Sequence, residues 1–463
     1  MLRRAAKVIA RGIGAVVVLA MLMYAVLFVA NLEDRPPSPD IALLKSFQEL
    51  SSPVDRDGNA YLFLLGISAA PDTDPIVAGL ERYQWMQIAR PQFSTDDDPL
   101  ADDYNFRGKR SQSVKELSTA CGESEAKCAE ALESDVETVR HWVSSEQWLL
   151  DRYRSLIRLT DYREAVPFEL LAPMPSYGVA SEAQRLLMMQ SWLAASDGDV
   201  AAVIESLNQD LTFWRMVLAK SDALISKMVA TAATIRHFKL GNLVLRRLSN
   251  TAAQDLLPAS WLIPLTNEER SMARSLAGEW SYFDESIRAV TAGEDNPFDD
   301  WAGVFDATTW DRLVWFVLKP FWQHQDTSNR HAGLMVGLGR AFDVPYSQIP
   351  SATEVADQLA ESAYQPYTAL YNFTGNLIMG RDHWDFSPYA VRVSDLEGVR
   401  RAAVLAAQIR MKGIAGEAVR QHLATSDIVD PYTNGPLSWS ASSNAIVFQG
   451  LEPNERSRHE FVH

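Results

Sequence analysis

The chain opens with an apolar run from Ile13 to Leu32 that contains no charged residue, about the length a helix needs to cross a bilayer. Beyond it the pattern changes to the 3–4 spacing of amphipathic helices. Val136, Val139, Val143, Leu150, Tyr153 and Ile157 share one face, widened by Trp142, Leu149 and Leu156, which predicts one helix up to Ile157. Ser134 with Glu137 three residues on is a capping-box start for it. Ala180–Ala195 and Val200–Ala219 read as two more helices, with Gly198 in the turn between them and Asp199 as the second N-cap. A third runs from Ser221 to near Leu248, with Ile225, Met228, Val229, Ala232, Ile235 and Leu243 on one stripe. Thr266 and Glu269 form another capping box ahead of "RSMARSLAGEWSYFDESIRAV". Trp310–Leu318 and Asn329–Phe342 are shorter helices separated by Pro320. Prolines 345, 350, 366 and 388 predict a loop-rich region, before a long helix over Val393–Ile409 and a short one reaching His422. Leu437, Trp439, Ile446 and Phe448 alternate, so the tail reads as a small β-hairpin with "ASSN" near its tip. The expected fold is all-α: one transmembrane helix, a multi-helix ectodomain and a C-terminal β-hairpin.

The breaks divide the chain into a basic head and anchor (1–34), a Pro-rich linker (35–40), a first helical lobe (41–258), a second (259–429) and the hairpin tail (430–463). Pro36, Pro37 and Pro39 stiffen the linker and predict a chain held extended away from the bilayer. The lobes part at "LLPASWLIPLT". No repeat of solenoid period is present.

Arg3, Arg4, Lys7 and Arg11 precede the apolar run, and Glu33 and Asp34 follow it. Cationic flanks stay in the cytoplasm, which predicts single-pass topology with everything after Asp34 outside. A cleaved signal peptide would have a shorter apolar core and a small-x-small site; here Phe28 stands two residues before Ala30. The 47% hydrophobic composition excludes general disorder. A formal charge of -16, with no run of Lys and Arg after the anchor, excludes nucleic acid as the expected partner.

Both cysteines lie in "CGESEAKCAEALESDVETVRHW". Outside the cytoplasm thiols are oxidised in pairs. A zinc site would want more ligands, and the nearest histidine is His141, a helix partner by spacing. A redox pair would be C-x-x-C rather than C-x6-C. Cys121 and Cys128 are therefore read as a disulfide clasp, worth roughly 2–2.5 kcal/mol for so short a loop.

Other patterns are weaker. There is no G-x-S-x-G elbow and no H-E-x-x-H. Ser124-x-x-Lys127 matches a Ser/Lys nucleophile pattern of chance frequency. Gly333, Gly337 and Gly339 lack dinucleotide-loop spacing and fit close helix packing. His324, His331 and His383, with Asp326 and Asp382, are the only histidine group that suggests a metal site, and surface or capping roles explain them more simply. The acidic loop Glu294, Asp295, Asp299 and Asp300 lacks a calcium-loop pattern. Glu279, Asp284 and Glu285 form a possible acid/base group that more often faces water. No cofactor is implied.

Aromatic density is the unusual feature. Trp280, Tyr282, Phe283, Phe298, Trp301, Phe305, Trp310, Trp315, Phe316, Phe321 and Trp322 fall in one span. Core packing is the plain reading. Because Trp310, Trp315, Phe316 and Trp322 do not fit one narrow stripe, they are also the candidate docking or ligand surface. Lipid-facing use is the weaker version, since the flanks are acidic.

"NAYLFLLGISAAPDTDP", "LLDRYRSL", "DLTFWRMVLAKSDALISKMVATA" and "DPYTNGPLSW" together resemble a group of membrane-anchored envelope proteins of Gram-negative bacteria. The tail is similar to a D-P-[FY]-T-G-x-P-L element of pseudopilin-like and secreted proteins, with Asn434 inserted before the glycine. The resemblance implies an inner-membrane protein with a periplasmic ectodomain and supplies no activity. The leading expectation is a tethered interaction or assembly protein, held by residues 13–32 in the cytoplasmic membrane beside an envelope protein partner. The alternatives are a hydrolase of an envelope polymer or lipid, and a protein that binds an apolar ligand.

Overall fold

The computed structural model describes residues 2–49, 58–88, 98–100, 104–164, 172–248, 257–292, 309–363, 370–381, 385–452, 454 and 457–463. The fold is all-α with a small C-terminal sheet. The helices are α1 (Leu2–Ala30), α2 (Pro39–Glu49), α3 (Ala60–Leu65), α4 (Pro75–Ile88), α5 (Gln112–Glu123), α6 (Glu125–Ser134), α7 (Val136–Ser145), α8 (Gln147–Ile157), α9 (Tyr177–Ser196), α10 (Val200–Lys220) and α11 (Leu224–Arg247). They continue as α12 (Ala259–Leu262), α13 (Asn267–Arg270), α14 (Ala273–Ala292), α15 (Thr309–Leu318), α16 (His324–Ala341), α17 (Ile349–Ala363), α18 (Phe373–Arg381), α19 (Ser387–Met411) and α20 (Glu417–Ala424).

Several elements differ from the pattern-based expectation for local reasons. The helix expected up to Ile157 is two helices, broken at Glu146, whose carboxylate takes a two-pronged bond from Arg110 at 2.6 and 2.7 Å. Asp135, not Ser134, caps α7 by accepting from Thr138 N at 2.9 Å. The Thr266–Glu269 capping box is present but starts a single turn, α13. The helix expected from Asn329 begins earlier, at His324, as α16. The proline-rich region holds α17 and α18, with Pro350 in the first turn of α17, where proline needs no N–H partner. By contrast α10 begins where the sequence places it, with Asp199 capping Ala202 N at 3.1 Å and Gly198 at φ +78 in the turn before it.

Two apolar cores form. One gathers α3 with α5–α11 around Tyr61, Trp142, Tyr153, Trp192 and Trp214. The other gathers α14, α16, α17, α19 and the tail around Phe238, Trp261, Trp280, Leu405 and Phe448. Helices α10 and α11 contribute to both, so the cores share walls. Most of α19 is buried around its whole circumference, which explains why it carries little one-sided apolar pattern.

The tail is a three-stranded antiparallel sheet in the order β1 (Ser438–Ser440), β2 (Ala445–Gln449), β3 (Arg458–Val462), one strand more than the predicted hairpin. Phe461 faces Ile446 across the β2–β3 pair and His459 faces Phe448. Strand β2 rests on α19 at Gly398, where an added Cβ would lie 2.1 Å from the Phe448 ring. The preceding "DPYTNGPLSW" turn is closed by Asp430 Oδ1, which accepts from Tyr432 N and Thr433 N, and Asn434 takes a left-handed φ of 55. That turn presents the Tyr432 hydroxyl to buried Asp395 at 2.6 Å.

Candidate functional site around the apolar helix

The stretch Arg11–Ala30 of α1 is long and apolar enough to cross a membrane, with a mean hydropathy of 2.7, and none of it is buried by the rest of the chain. Immediately after it the chain is fastened. Asn31, only 7% exposed, donates through Nδ2 to the carbonyls of Leu27 and Leu370 at 2.7 and 2.8 Å. Its Oδ1 accepts from Asn372 N at 2.7 Å and its carbonyl from Gln323 Nε2 at 2.7 Å. Asp34 then caps α16, accepting from Gln325 N at 2.6 Å and Asp326 N at 3.0 Å, where a carboxylate is favoured by the helix dipole. Asn329 clips the following residues by accepting from Ser38 N and donating to Pro36 O. Residues 35–40 are thus laid against α16 as a strap, not held away as a free spacer. The prolines satisfy this well, since they demand few backbone partners.

Asn372 is the keystone of this junction. It is fully buried and holds a left-handed φ of 51. Its Oδ1 accepts from Gln323 N and Gly375 N, and its Nδ2 donates to Asp326 Oδ2 and Thr327 Oγ1. All four side-chain hydrogen-bonding positions are therefore occupied.

The aromatic span comes up beside the same helix. Phe321 meets Tyr24 of α1 edge to face, with centroids 4.9 Å apart. Just before it, α15 exposes Leu313, Val314, Phe316 and Val317, with Phe316 77% exposed. Trp315 turns the other way and packs edge to face on Trp322 at 5.3 Å, and Trp322 is 9% exposed. Of the four candidate surface residues, then, Phe316 lies outward, while Trp315 and Trp322 back it from inside. The side chain of Trp310 lies outside the described residues, as do Phe298, Trp301 and Phe305.

The two cysteines are joined, with sulfurs 2.00 Å apart across the junction of α5 and α6. Ser124 is the N-cap of α6, accepting from Lys127 N at 3.2 Å, which accounts for the Ser-x-x-Lys spacing. His324 Nε2 lies 3.7 Å from Asp284 Oδ1. His331 is fully buried against the Phe283 ring, and burial pushes its pKa down to about 3. His383, Asp382 and the acidic loop at 294–300 lie outside the described residues. Among the described residues no three His, Cys, Asp or Glu side chains converge as metal ligands. Gly339 sits where an added Cβ would be 3.4 Å from Ala273, so α16 and α14 approach closely there. Glu279, Asp284 and Glu285 do not act as one group. Asp284 is buried and accepts from Ser328 Oγ and the Arg288 guanidinium, whereas Glu285 faces solvent.

Among the buried acids that carried no signal in the sequence are Glu125, Glu164 and Asp210. Glu125, inside the disulfide loop, accepts from Asn242 Nδ2 at 2.5 Å and from Val462 N of β3 at 3.2 Å. Burial raises its pKa to about 7. Glu164 accepts from the Tyr162 hydroxyl at 2.7 Å and Ala223 N at 2.8 Å, and burial with nearby Asp222 raises it to about 7 as well. Beside it the Tyr177 and Ser226 hydroxyls pair at 2.6 Å. Asp210 is wholly enclosed, taking Tyr153, Gln184 and His237 Nδ1, while His237 Nε2 accepts from Trp261 Nε1 at 2.7 Å. No local sequence signal marks these residues, because all their partners except Tyr162 are 26 to 337 positions away and only the fold assembles them.

No protein-family model matches the chain, and no curated protein or solved structure does either. The class is set by architecture alone: an all-α body strapped directly to an exposed apolar helix, the one membrane-length apolar helix among the described residues.

Proposed function

We propose that this is a membrane-tethered interaction or assembly protein of the bacterial envelope, with its N-terminus in the cytoplasm and its helical body in the periplasm. The basic residues before the apolar run and the acidic ones after it support that orientation. The disulfide supports an oxidising compartment. The observation that carries the reading is the strap. Asn31 and Asp34 lock the exit of α1 onto α16 and Asn372, so the body has one pose relative to its anchor. A fixed pose confines a body to presenting one face to other molecules in the same membrane, which is what an assembly partner requires. Retention of the helix is supported too, since removing it would take the Leu27 carbonyl from Asn31 Nδ2 and Tyr24 from the Phe321 ring.

In-cell crosslinking from exposed positions of the body tests this, with Asp34→Ala and Asn31→Ala together as the strap-breaking variant. The expected result is discrete adducts with an envelope protein that weaken at least several-fold in the variant while the protein remains folded and in the membrane. Adducts that are absent, or unchanged when the strap is broken, would refute the reading. Loss of the Asp34 cap alone should lower stability by about 1 kcal/mol.

A second reading, a hydrolase of an envelope polymer or lipid, is favoured by one feature: Glu164 beside the Tyr177–Ser226 hydroxyl pair, with a pKa near neutrality. Glu164→Gln keeps an acceptor for Ala223 N. If a lytic or lipolytic activity of the purified protein falls by a hundredfold or more in that variant, the enzyme reading displaces the first.

A further inference from the structure

We infer that α15 is seated in the outer leaflet of the membrane that α1 crosses, making a second, in-plane contact between the body and lipid. The inference rests on the anchor reading above. It does not depend on any protein partner.

The depth follows from the junction. Tyr24 lies six residues before the end of α1, about 9 Å back along a helix axis. Phe321 touches Tyr24, so the turn that carries it sits about that far inside the exit point of α1. A leaflet's hydrocarbon layer is about 15 Å thick, and in-plane helices bury their apolar faces about 5–10 Å deep. The turn of Lys319–Phe321 follows α15 directly, and Leu318 O is held by Thr374 Oγ1 at 2.6 Å. α15 therefore cannot be far from the same level.

Its exposed side chains match that level. Leu313, Val314, Phe316 and Val317 fall within about 160° of helix circumference, and Trp315 occupies the opposite side against Trp322. Four exposed large apolar residues in five positions would be costly in water. Leu370, also exposed, receives Asn31 Nδ2 on its carbonyl and so stands at the exit itself. The patch is joined to α1 through the Lys319–Phe321 turn, whose Phe321 touches Tyr24, and one occupant, lipid, covers both. An envelope protein as the occupant would have to displace lipid from beside α1 to reach it.

Spin labels test this in the full chain, reconstituted in vesicles of phosphatidylethanolamine and phosphatidylglycerol. One label is placed at Leu22→Cys in α1 and another at Phe316→Cys, with the native disulfide kept. Phe316 is exposed, so the substitution leaves the core intact. Relaxation by oxygen against relaxation by a water-soluble nickel chelate gives depth. The expected result is that both labels favour oxygen at least threefold over the chelate, with Phe316→Cys nearer the headgroups than Leu22→Cys. A Leu22→Cys label in lipid with a Phe316→Cys label in water overturns the inference and leaves the anchor standing. A Phe316→Cys label shielded from both reagents means a protein covers the face, and also overturns it. A Leu22→Cys label in water removes the anchor reading and the inference with it.

Discussion

The N-terminal strap and the C-terminal strand are both tied to helices far away in sequence, but by different chemistry. At the strap, Asp34 bonds to the first N–H groups of α16, and Arg35 reaches Asp326 from a half-solvated position over the Tyr371 ring. Water can replace most of these contacts when they break, so each is worth little. At the strand, Glu125 is buried and holds Asn242 and Val462, while Arg410 bonds Asn242 Oδ1 at 2.6 Å and Val462 O at 2.9 Å. Water is excluded there, so a missing partner leaves a buried donor with nothing. The disulfide sits at this second site, bracketing Glu125 between Cys121 and Cys128. It closes the turn that carries this carboxylate, which accepts from Val462 N of β3. The contrast teaches that the strap fixes a pose cheaply, whereas the tail is part of the folded core.

Asn372 is the exception that can break this contrast. Replacing it with Ala removes four hydrogen bonds and puts a side chain that disfavours left-handed backbone at φ 51. The expected loss is about 4 kcal/mol in denaturant unfolding. A loss under about 1 kcal/mol would show that the junction is as lightly held as the rest of the strap.

Glu125→Ala should cost about 3 kcal/mol and release β3, seen as faster amide exchange at Val462. Glu125→Gln sharpens the point through pH. The folded pKa of Glu125 is near 7, above the ordinary value of about 4.3 in an unfolded chain. Between those values the folded state holds the extra proton, so this group's contribution to stability falls as pH rises from about 4.5 to 7 and is flat above. Gln carries no such proton. The stability of the natural protein relative to Glu125→Gln should therefore decline between pH 5 and pH 8. Buried His331 and His459, both depressed to about 3, act the other way by losing stability as pH falls, but they are common to both proteins and cancel in the difference. A pH-independent difference would mean the carboxylate is solvated.

Replacing both cysteines with Ser should have a smaller effect than either, about 2 kcal/mol with the fold retained. If β3 frays in that variant as it does in Glu125→Ala, the disulfide and the carboxylate are one device. If it does not, the clasp is only a local brace.

Much of the architecture was legible beforehand because it depends on near neighbours. The uncharged run Ile13–Leu32 specifies a membrane-length helix by composition alone. Asp199 beside Gly198 specifies where α10 starts, because a cap and its N–H groups lie within three residues. Two cysteines with no other partner specify their own pairing. Tertiary structure alone decided the rest. Glu146 broke an unbroken apolar stripe because Arg110, 36 positions away, claims its carboxylate. The proline segment became a strap because α16 offers the Gln325 and Asp326 N–H groups to Asp34 and the Asn329 side chain to Ser38 N, which nothing in "RPPSPD" announces. Glu125, Glu164 and Asp210 look like ordinary surface acids in the sequence, since burial is a property of the assembled packing and not of spacing. Phe316 faces outward and Trp315 inward for the same reason: periodicity shows that adjacent residues diverge, but only the position of α1 and Trp322 settles which of the two meets the protein.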